Sequence, residues 1–272
     1  MESNEQKSIK VDFHTHSCDQ GRHVNSTTDA LVKRAFSVGL DAMAIANSGD
    51  YFDRLAGNPG KYVYCAKAVD SGSEAVLFER DNEFLYVMRG MEYNGREGHH
   101  LILGGEGKIE YRDNLSDTLL CAKDKRSIVG PAHPFNTFCS GSTIDVLNSH
   151  VKLYDFVETF NALNVRKYNR LASTFARKNG LPGITNSDDH VGKVGSSFTS
   201  LEGCLSLDLN TDIESIKDKI VSDNIGVGLE KYTSFLSKAN TFGLSHLRDG
   251  FSLEKVFRLF GNGTRYFKSV LS

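Results

Sequence analysis

Residues 11–17 read Val-Asp-Phe-His-Thr-His-Ser, a short β-patterned run that ends in two histidines two positions apart. Because side chains alternate between the two faces of a strand, Val11 and Phe13 are predicted on one face, and His14 and His16 together on the other. Two neutral imidazoles that project from one rigid strand end can chelate a metal ion. A single His-x-His pair is equally compatible with a polar sheet end, so the interpretation depends on the rest of the chain.

The composition is that of a globular protein. The chain has 272 residues, of which 39% are hydrophobic and 10% aromatic, enough for one large α/β barrel or two ordinary domains. A formal net charge of -2 gives no overall attraction to nucleic acid or to an acidic membrane. Five scattered cysteines without a Cys-x-x-Cys pair, a polar amino terminus and the lack of a long apolar run predict a cytoplasmic protein outside the membrane.

Amphipathic helices alternate with short apolar strands along most of the chain. This alternation at short spacing predicts right-handed βαβ crossovers and a parallel sheet. Helices are predicted after a cap at 26–28, from Ser116, over about 164–178 and over 212–221. Strands are predicted at 41–46, 84–92, 128–130, 154–160, 182–185 and 205–209.

Two segments break this rhythm. Residues 51–90 contain Gly57, Pro59 and Gly60 and are predicted to form a helical or hairpin insertion. Residues 225–272 are helix-compatible but poorly periodic, which predicts a helical or irregular extension. No repeat or convincing linker divides residues 1–272, so a single domain is expected.

Candidate metal ligands follow several predicted strands. In parallel α/β folds, active sites gather at the carboxyl ends of the strands, and imidazoles with carboxylates suit zinc, iron or manganese. His100 is preferred over His99 because it adjoins the apolar run that follows. Each residue also has an ordinary structural explanation, such as a strand-end acid, a turn before proline or a helix cap, but their common layer favours a polynuclear site. The candidate ligands are His14, His16, Glu92, His100, His133, Asp188 and His190.

The same motifs resemble those of the PHP (polymerase and histidinol phosphatase) superfamily. The matching pieces, in family order, are Asp12-Phe-His14-Thr-His16, Gly90-Met-Glu92, His100-Leu-Ile-Leu, Ala132-His133-Pro134 and Ser187-Asp188-Asp189-His190. The resemblance implies a distorted (β/α)7 barrel whose strand ends hold two or three divalent ions, with Zn, Mn or Fe as the expected metals. By position, it implies one ion on His14, His16, Glu92 and Asp188, and a second on Glu92, His100 and His133.

The chain departs from the family at the second motif. Where the family has Thr-Asp-His, the chain has Asn47-Ser48-Gly49, so Ser48 occupies the position of a histidine. Serine is a far poorer ligand than imidazole, and the third ion site therefore lacks its usual donor. His190 remains available there, together with Asp19 or His23, and Asp50 is a possible replacement from a shifted position.

The resemblance implies a metal-dependent phosphoesterase that acts on a small phosphorylated metabolite with a metal-activated water. Candidate phosphate contacts are Arg22, Arg166 and Lys193, although each, taken singly, is better explained as a solvated surface cation. The general acid for the leaving group is expected to be Asp19, His23 or a metal-bound water.

Three alternatives stay open at the level of the sequence. The chain could be an exonuclease-like phosphodiesterase, against which its near-neutral charge and lack of a basic stripe argue. It could hydrolyse amides or cyclic esters, since a barrel with metal ions does not define the bond that is cleaved. It could also be a catalytically impaired metal- or ligand-binding protein, a reading that Ser48 suggests.

Overall fold

The computed structural model of the chain describes residues 8–19, 24–47 and 49–233. Six α-helices lie in this part of the chain: α1 (Thr28–Ser37), α2 (Tyr51–Gly57), α3 (Leu115–Asp124), α4 (Ile144–His150), α5 (Arg166–Asn179) and α6 (Leu209–Val221). The strands of the same part are β1 (Ser8–Thr15), β2 (Ala42–Ile45), β3 (Lys67–Ser71), β4 (Ala75–Arg80), β5 (Glu83–Gly95), β6 (Gly98–Leu103), β7 (Ile128–Pro131), β8 (Val157–Asn161), β9 (Gly183–Asn186), β10 (Phe198–Glu202) and β11 (Ile225–Leu229).

The strands form a large mixed sheet and a separate pair. Nine strands belong to the large sheet, in which β11, β10, β1, β2, β5, β4 and β3 follow one another and β6 connects β5 to β7. Strands β8 and β9 pair with each other in parallel. The mixed α/β class is therefore confirmed, whereas the backbone ladders of the described strands do not join the two sheets into one closed ring.

The sheet is mixed, although a parallel sheet was predicted. Strand β2 runs parallel to both β1 and β5. The β5–β6 hairpin, the β6–β7 pair and the outer strands β10 and β4 are antiparallel to their neighbours. The reason lies in the connections, because short turns join β4 to β5 and β5 to β6, and such turns can only reverse the chain.

Several predicted elements need correction at their ends or in kind. Residues 51–90 contain α2 and the strands β3 and β4, so the expected insertion is partly helical and partly a hairpin that extends the sheet. Helix α3 is capped by Asn114 and not by Ser116, because the Asn114 side chain accepts a hydrogen bond from the amide of Asp117. Residues 225–229 form β11 on the edge of β10, where a helical or irregular extension was expected. The rest of that extension, from residue 234 onward, lies outside the described residues.

Strand β1 lies in the middle of the large sheet and carries its apolar side chains into the core. Ile9, Val11 and Phe13 are buried in one cluster with residues of β2, β5, β6 and α6. Helices α1 and α2 cover the opposite face of β2 and β5 in a second apolar cluster. The alternation read from residues 11–17 is therefore correct along β1, which holds the strand rigidly up to its two histidines.

In the described part of the chain, no helix is both long and apolar enough to cross a membrane.

Candidate metal centre

Strand ends from both sheets meet at a cluster of histidines and carboxylates. His14 and His16 lie at the end of β1, and the register between β1 and β2 shifts between Asp12 and Thr15. Such irregularities re-aim side chains and are common beside active sites. The other members of the cluster are Glu92 on β5, His99 on β6, His133 after β7, and Asp188 and His190 after β9.

The first group of donors surrounds His14. Its Nε2 lies 3.0 Å from Nε2 of His16, 3.5 Å from Oε1 of Glu92 and 3.4 Å from Oδ1 of Asp188. Nε2 of His16 lies 3.5 Å from Oε2 of Glu92 and 3.6 Å from Oδ1 of Asp188. These donors are the four that the family resemblance assigned to one ion.

The second group shares Glu92. Its Oε1 lies 2.8 Å from Nδ1 of His99 and 2.9 Å from Nε2 of His133. One carboxylate thus borders both groups, as expected for a bridging ligand between two ions.

A third group consists of His16, Asp188 and His190. The His190 Nδ1 lies 3.4 Å from Oδ1 of Asp188, and the rings of His16 and His190 are 4.5 Å apart. Ser48, Arg22 and His23 lie outside the described residues, so the structure does not place them beside this group. Asp50 is exposed at the start of α2, where its Oδ1 lies 3.6 Å from Nε of Arg54.

The structure places His100 away from the donor groups that it was predicted to join. Its Nε2 lies 3.0 Å from the hydroxyl of Tyr154, and its ring packs 6.4 Å from that of Tyr93, away from the cluster. His99 faces Glu92 instead, because Asn94 and His99 are paired on the β5–β6 hairpin and share the face of Glu92. Complete burial lowers the pKa of His100 to about 3. His100 is therefore a neutral packing residue.

The electrostatics of the cluster are those of a site for a cation. Burial alone would lower the pKa of His14, but the carboxylates of Asp188, Glu158 and Glu92 outweigh it and raise the pKa well above its ordinary value. Burial opposes ionisation of Asp188 and Glu92 too, yet the neighbouring histidines hold both pKa values well below the usual range. Positive charge is thus favoured at a place where polar groups are almost completely buried.

Two members of the cluster have an unusual backbone conformation. His133 has φ +29° and Asp188 has φ +51°, in the region that side chains other than glycine rarely adopt. A backbone conformation in this region is maintained only where the surrounding structure stabilises it, and such conformations are concentrated at functional sites. Each turn directs its side chain into the cluster directly after a strand.

Three of the predicted catalytic and phosphate-binding residues lie in the described part of the chain: Asp19, Arg166 and Lys193. Oδ2 of Asp19 accepts hydrogen bonds from Ser17 and from the amide and hydroxyl of Thr28, so this carboxylate supports the start of α1. Arg166 is exposed at the start of α5 and its guanidinium lies 5.7 Å from the ring centre of Tyr232. Lys193 is exposed and lines a groove of about 570 Å³ together with Tyr232.

Sequence reasoning missed Glu158, which is completely buried on β8. Its Oε1 lies 3.0 Å from Nδ1 of His14, and its Oε2 lies 2.6 Å from the amide nitrogen of His133. A usable signal was present, because a carboxylate in the apolar run of β8 must have partners to be buried.

A family model matches part of this chain, and solved structures resemble it. The PHP-associated family model matches residues 166–213. A two-domain protein from Bacteroides vulgatus ATCC 8482, which contains a predicted PHP-like metal-dependent phosphoesterase, superposes with a TM-score of 0.59 at 13% identity. That alignment covers 83% of this chain and 65% of the other, so the chain spans less than two thirds of that protein.

PsfC from Pseudomonas syringae PB-5123 also has a TM-score of 0.59 at 13% identity, and the alignment covers 89% of this chain and 98% of PsfC. At these identities the two structures establish a shared fold. No curated protein matches the sequence significantly.

Proposed function

On the premise that the chain belongs to the PHP superfamily, we propose that it is a metal-dependent phosphoesterase and that its substrate is a small phosphomonoester. The observation that carries this proposal is the convergence of ligand atoms from four overlapping groups of residues, with the atoms of each group within 4.8 Å of one another. Distant likeness alone would leave the bond that is cleaved undefined.

The donor set fits divalent ions such as Zn, Mn or Fe. Imidazole nitrogens and carboxylate oxygens are their usual ligands, and a carboxylate placed as Glu92 is can contact two ions. The first ion would be held by His14, His16, Glu92 and Asp188, and the second by Glu92, His99 and His133. When bound, such ions activate water and neutralise charge on a phosphoryl group.

The arrangement of the strands around the centre supports the seven-stranded barrel expected from the resemblance. Strands β1, β2, β5, β6 and β7 are consecutive in the large sheet. The β8–β9 pair lies between β7 and β1, since the amide of Asp155 donates to the carbonyl of Val129 and Thr15 forms an isolated bridge with Asp189. We propose that these seven strands form the distorted ring.

The protein's own residues would perform two tasks in the reaction. The buried histidines and carboxylates hold the ions at strand ends that cannot move apart without disrupting the sheet. Lys193 lines a groove formed in part by Tyr232, and the guanidinium of Arg166 lies over the ring of Tyr232, so both cations are candidates for contacts with the anionic substrate. Because Oδ2 of Asp19 supports α1, we propose that another group donates the proton to the leaving group.

Release of inorganic phosphate from a panel of monoesters tests this proposal. Protein loaded with Mn, Zn or Fe should release phosphate, and Asp188→Asn should lower the rate by about 100-fold or more because it removes a charged donor shared by two groups. Asp212→Asn serves as the matched control, since Asp212 is an equally buried carboxylate whose partners are Tyr86 and the loop before α6.

Two outcomes would contradict the proposal. Cleavage of diesters or oligonucleotides without release from any monoester would assign the protein to the phosphodiesterases. Tight metal binding without turnover of either class would favour the reading as a metal- or ligand-binding protein.

A further inference from the structure

We propose that Glu158 is the positioning residue of the metal centre, whose two carboxylate oxygens orient ligands of both ion groups at once. This inference rests on the proposed function only in requiring that the centre binds divalent ions. No contact of Glu158 with substrate is needed, because it acts through His14 and His133.

The carboxylate of Glu158 accepts hydrogen bonds from four donors. Oε1 accepts from Nδ1 of His14 at 3.0 Å and from Nδ2 of Asn186 at 2.9 Å. Oε2 accepts from the amide of His133 at 2.6 Å and from Nδ2 of Asn161 at 3.0 Å. An ionised carboxylate can satisfy four donors, and no other side chain of this size offers two acceptor oxygens without a donor.

The bond to His14 decides which ring nitrogen is available to a metal. When Oε1 accepts the Nδ1 proton, Nε2 carries the lone pair, and this nitrogen is the one that faces Glu92 and Asp188. Partners of this kind fix the tautomer and the ring orientation of metal-binding histidines.

The same carboxylate reaches two further ligands. It holds the amide of His133, whose backbone has φ +29°, and so supports the turn that directs this ring toward Glu92. Nδ2 of Asn161, which donates to Glu158, also lies 3.0 Å from Oδ2 of Asp188. Loss of the carboxylate would therefore disturb the His14, His133 and Asp188 side chains together.

Glu158→Gln is the decisive variant. In either orientation of the amide, its NH₂ group would face two of the four donors, whereas the shape and size of the side chain are retained. We expect the dissociation constant for zinc, measured by competition with a chelator, to rise about 10- to 100-fold for ions of both groups. In ¹⁵N-histidine spectra of the zinc-loaded protein, the His14 signal typical of a protonated Nδ1 should be lost or diminished.

Asp212→Asn is the control that distinguishes loss of ligand positioning from the general destabilisation caused by altering a buried acid. This variant should be destabilised but should keep the zinc affinity of the unaltered protein when both are measured well below their melting temperatures. If Glu158→Gln does not fold, Glu158→Asp is measured instead. It keeps the charge and both oxygens but is one methylene too short to reach His14 and His133 together, so it too should bind zinc more weakly.

Unchanged zinc affinity together with an unchanged His14 signal in either Glu158 variant would overturn the inference. Neither measurement uses a substrate. Absence of phosphate release from the unaltered protein would therefore contradict the proposed function while leaving the positioning role intact.

Discussion

At the scale of single residues, two adjacent histidines on β6 lie in different environments. His99 contributes Nδ1 to the group around Glu92, whereas His100 is sealed between Tyr93 and Tyr154. Because neighbouring side chains on a strand point to opposite faces, only one of the two can reach the centre.

This difference predicts contrasting effects of two substitutions. His99→Ala should reduce the bound metal and lower phosphate release, with little effect on unfolding, because its ring is on the less buried side of the hairpin. His100→Ala should leave the metal content unchanged and cost about 1–3 kcal/mol of unfolding free energy through the lost hydrogen bond and packing. Elemental analysis and denaturant unfolding of both variants measure this. Loss of metal from His100→Ala, with none from His99→Ala, would reverse the assignment.

At the scale of elements, the loop after β1 is connected to α1 by a carboxylate. Asp19 accepts from both the amide and the hydroxyl of Thr28, the first residue of α1, while Thr27 caps the helix through the amide of Ala30. These bonds satisfy amides at a helix start, where the helix itself provides no partner. These contacts give Asp19 a structural explanation beside the predicted catalytic one.

Asp19→Ala should accordingly lower the unfolding free energy by about 1–2 kcal/mol, as loss of a helix-capping interaction does. The maximal rate of phosphate release should change little, because Oδ2 of this carboxylate is already used by three donors that support α1. Denaturant unfolding and initial rates at saturating substrate are the measurements. A large loss of rate at unchanged stability would restore Asp19 as the general acid.

At the scale of the whole molecule, the centre connects strands that are far apart in sequence. Its donors come from β1, β5, β6 and the turns after β7 and β9, and the core clusters beneath them hold those strands together. Ions that bind only the folded arrangement must stabilise it by mass action.

Added zinc should therefore raise the melting temperature, and a chelator should lower it. The rise should shrink as pH falls from about 8 to about 5, because protons compete for the histidine nitrogens. The raised pKa of His14 makes this competition begin at a higher pH than for an ordinary histidine. In the metal-free protein, the raised pKa of His14 has the opposite effect on stability. The stabilisation contributed by protonated His14 is complete below the unfolded pKa of about 6.5 and is lost as pH rises through the folded pKa.

Thermal unfolding with and without zinc across this pH range checks the sign. A zinc-induced rise that grows as pH falls would contradict binding through these histidines. Asp212→Asn, which lies outside the centre, should show the same pH dependence as the unaltered protein.

Local sequence patterns determined the secondary-structure elements that depend on neighbouring residues. The alternation in residues 11–17 placed His14 and His16 together at a strand end, and helix periodicity located α5 over nearly its observed range. Pairing of distant strands had no such signal. Residues 205–209 were predicted as a strand, but the strand in this region is β10. Leu207 has φ +67°, and the carboxylate of Asp212 accepts hydrogen bonds from the amides of Ser206 and Leu207, so these residues form a loop before α6.

The tertiary structure alone decided that His99 and not His100 faces Glu92, and that Glu158 supports His14. The first outcome depends on the register of the β5–β6 hairpin, which fixes the face on which each side chain lies. The second depends on packing that brings Glu158 of β8 within 3.0 Å of His14 of β1, 144 residues earlier in the chain. The sequence specifies the hydrophobic periodicity within each helix or strand. Contacts between elements depend on which of their faces pack together in the tertiary structure.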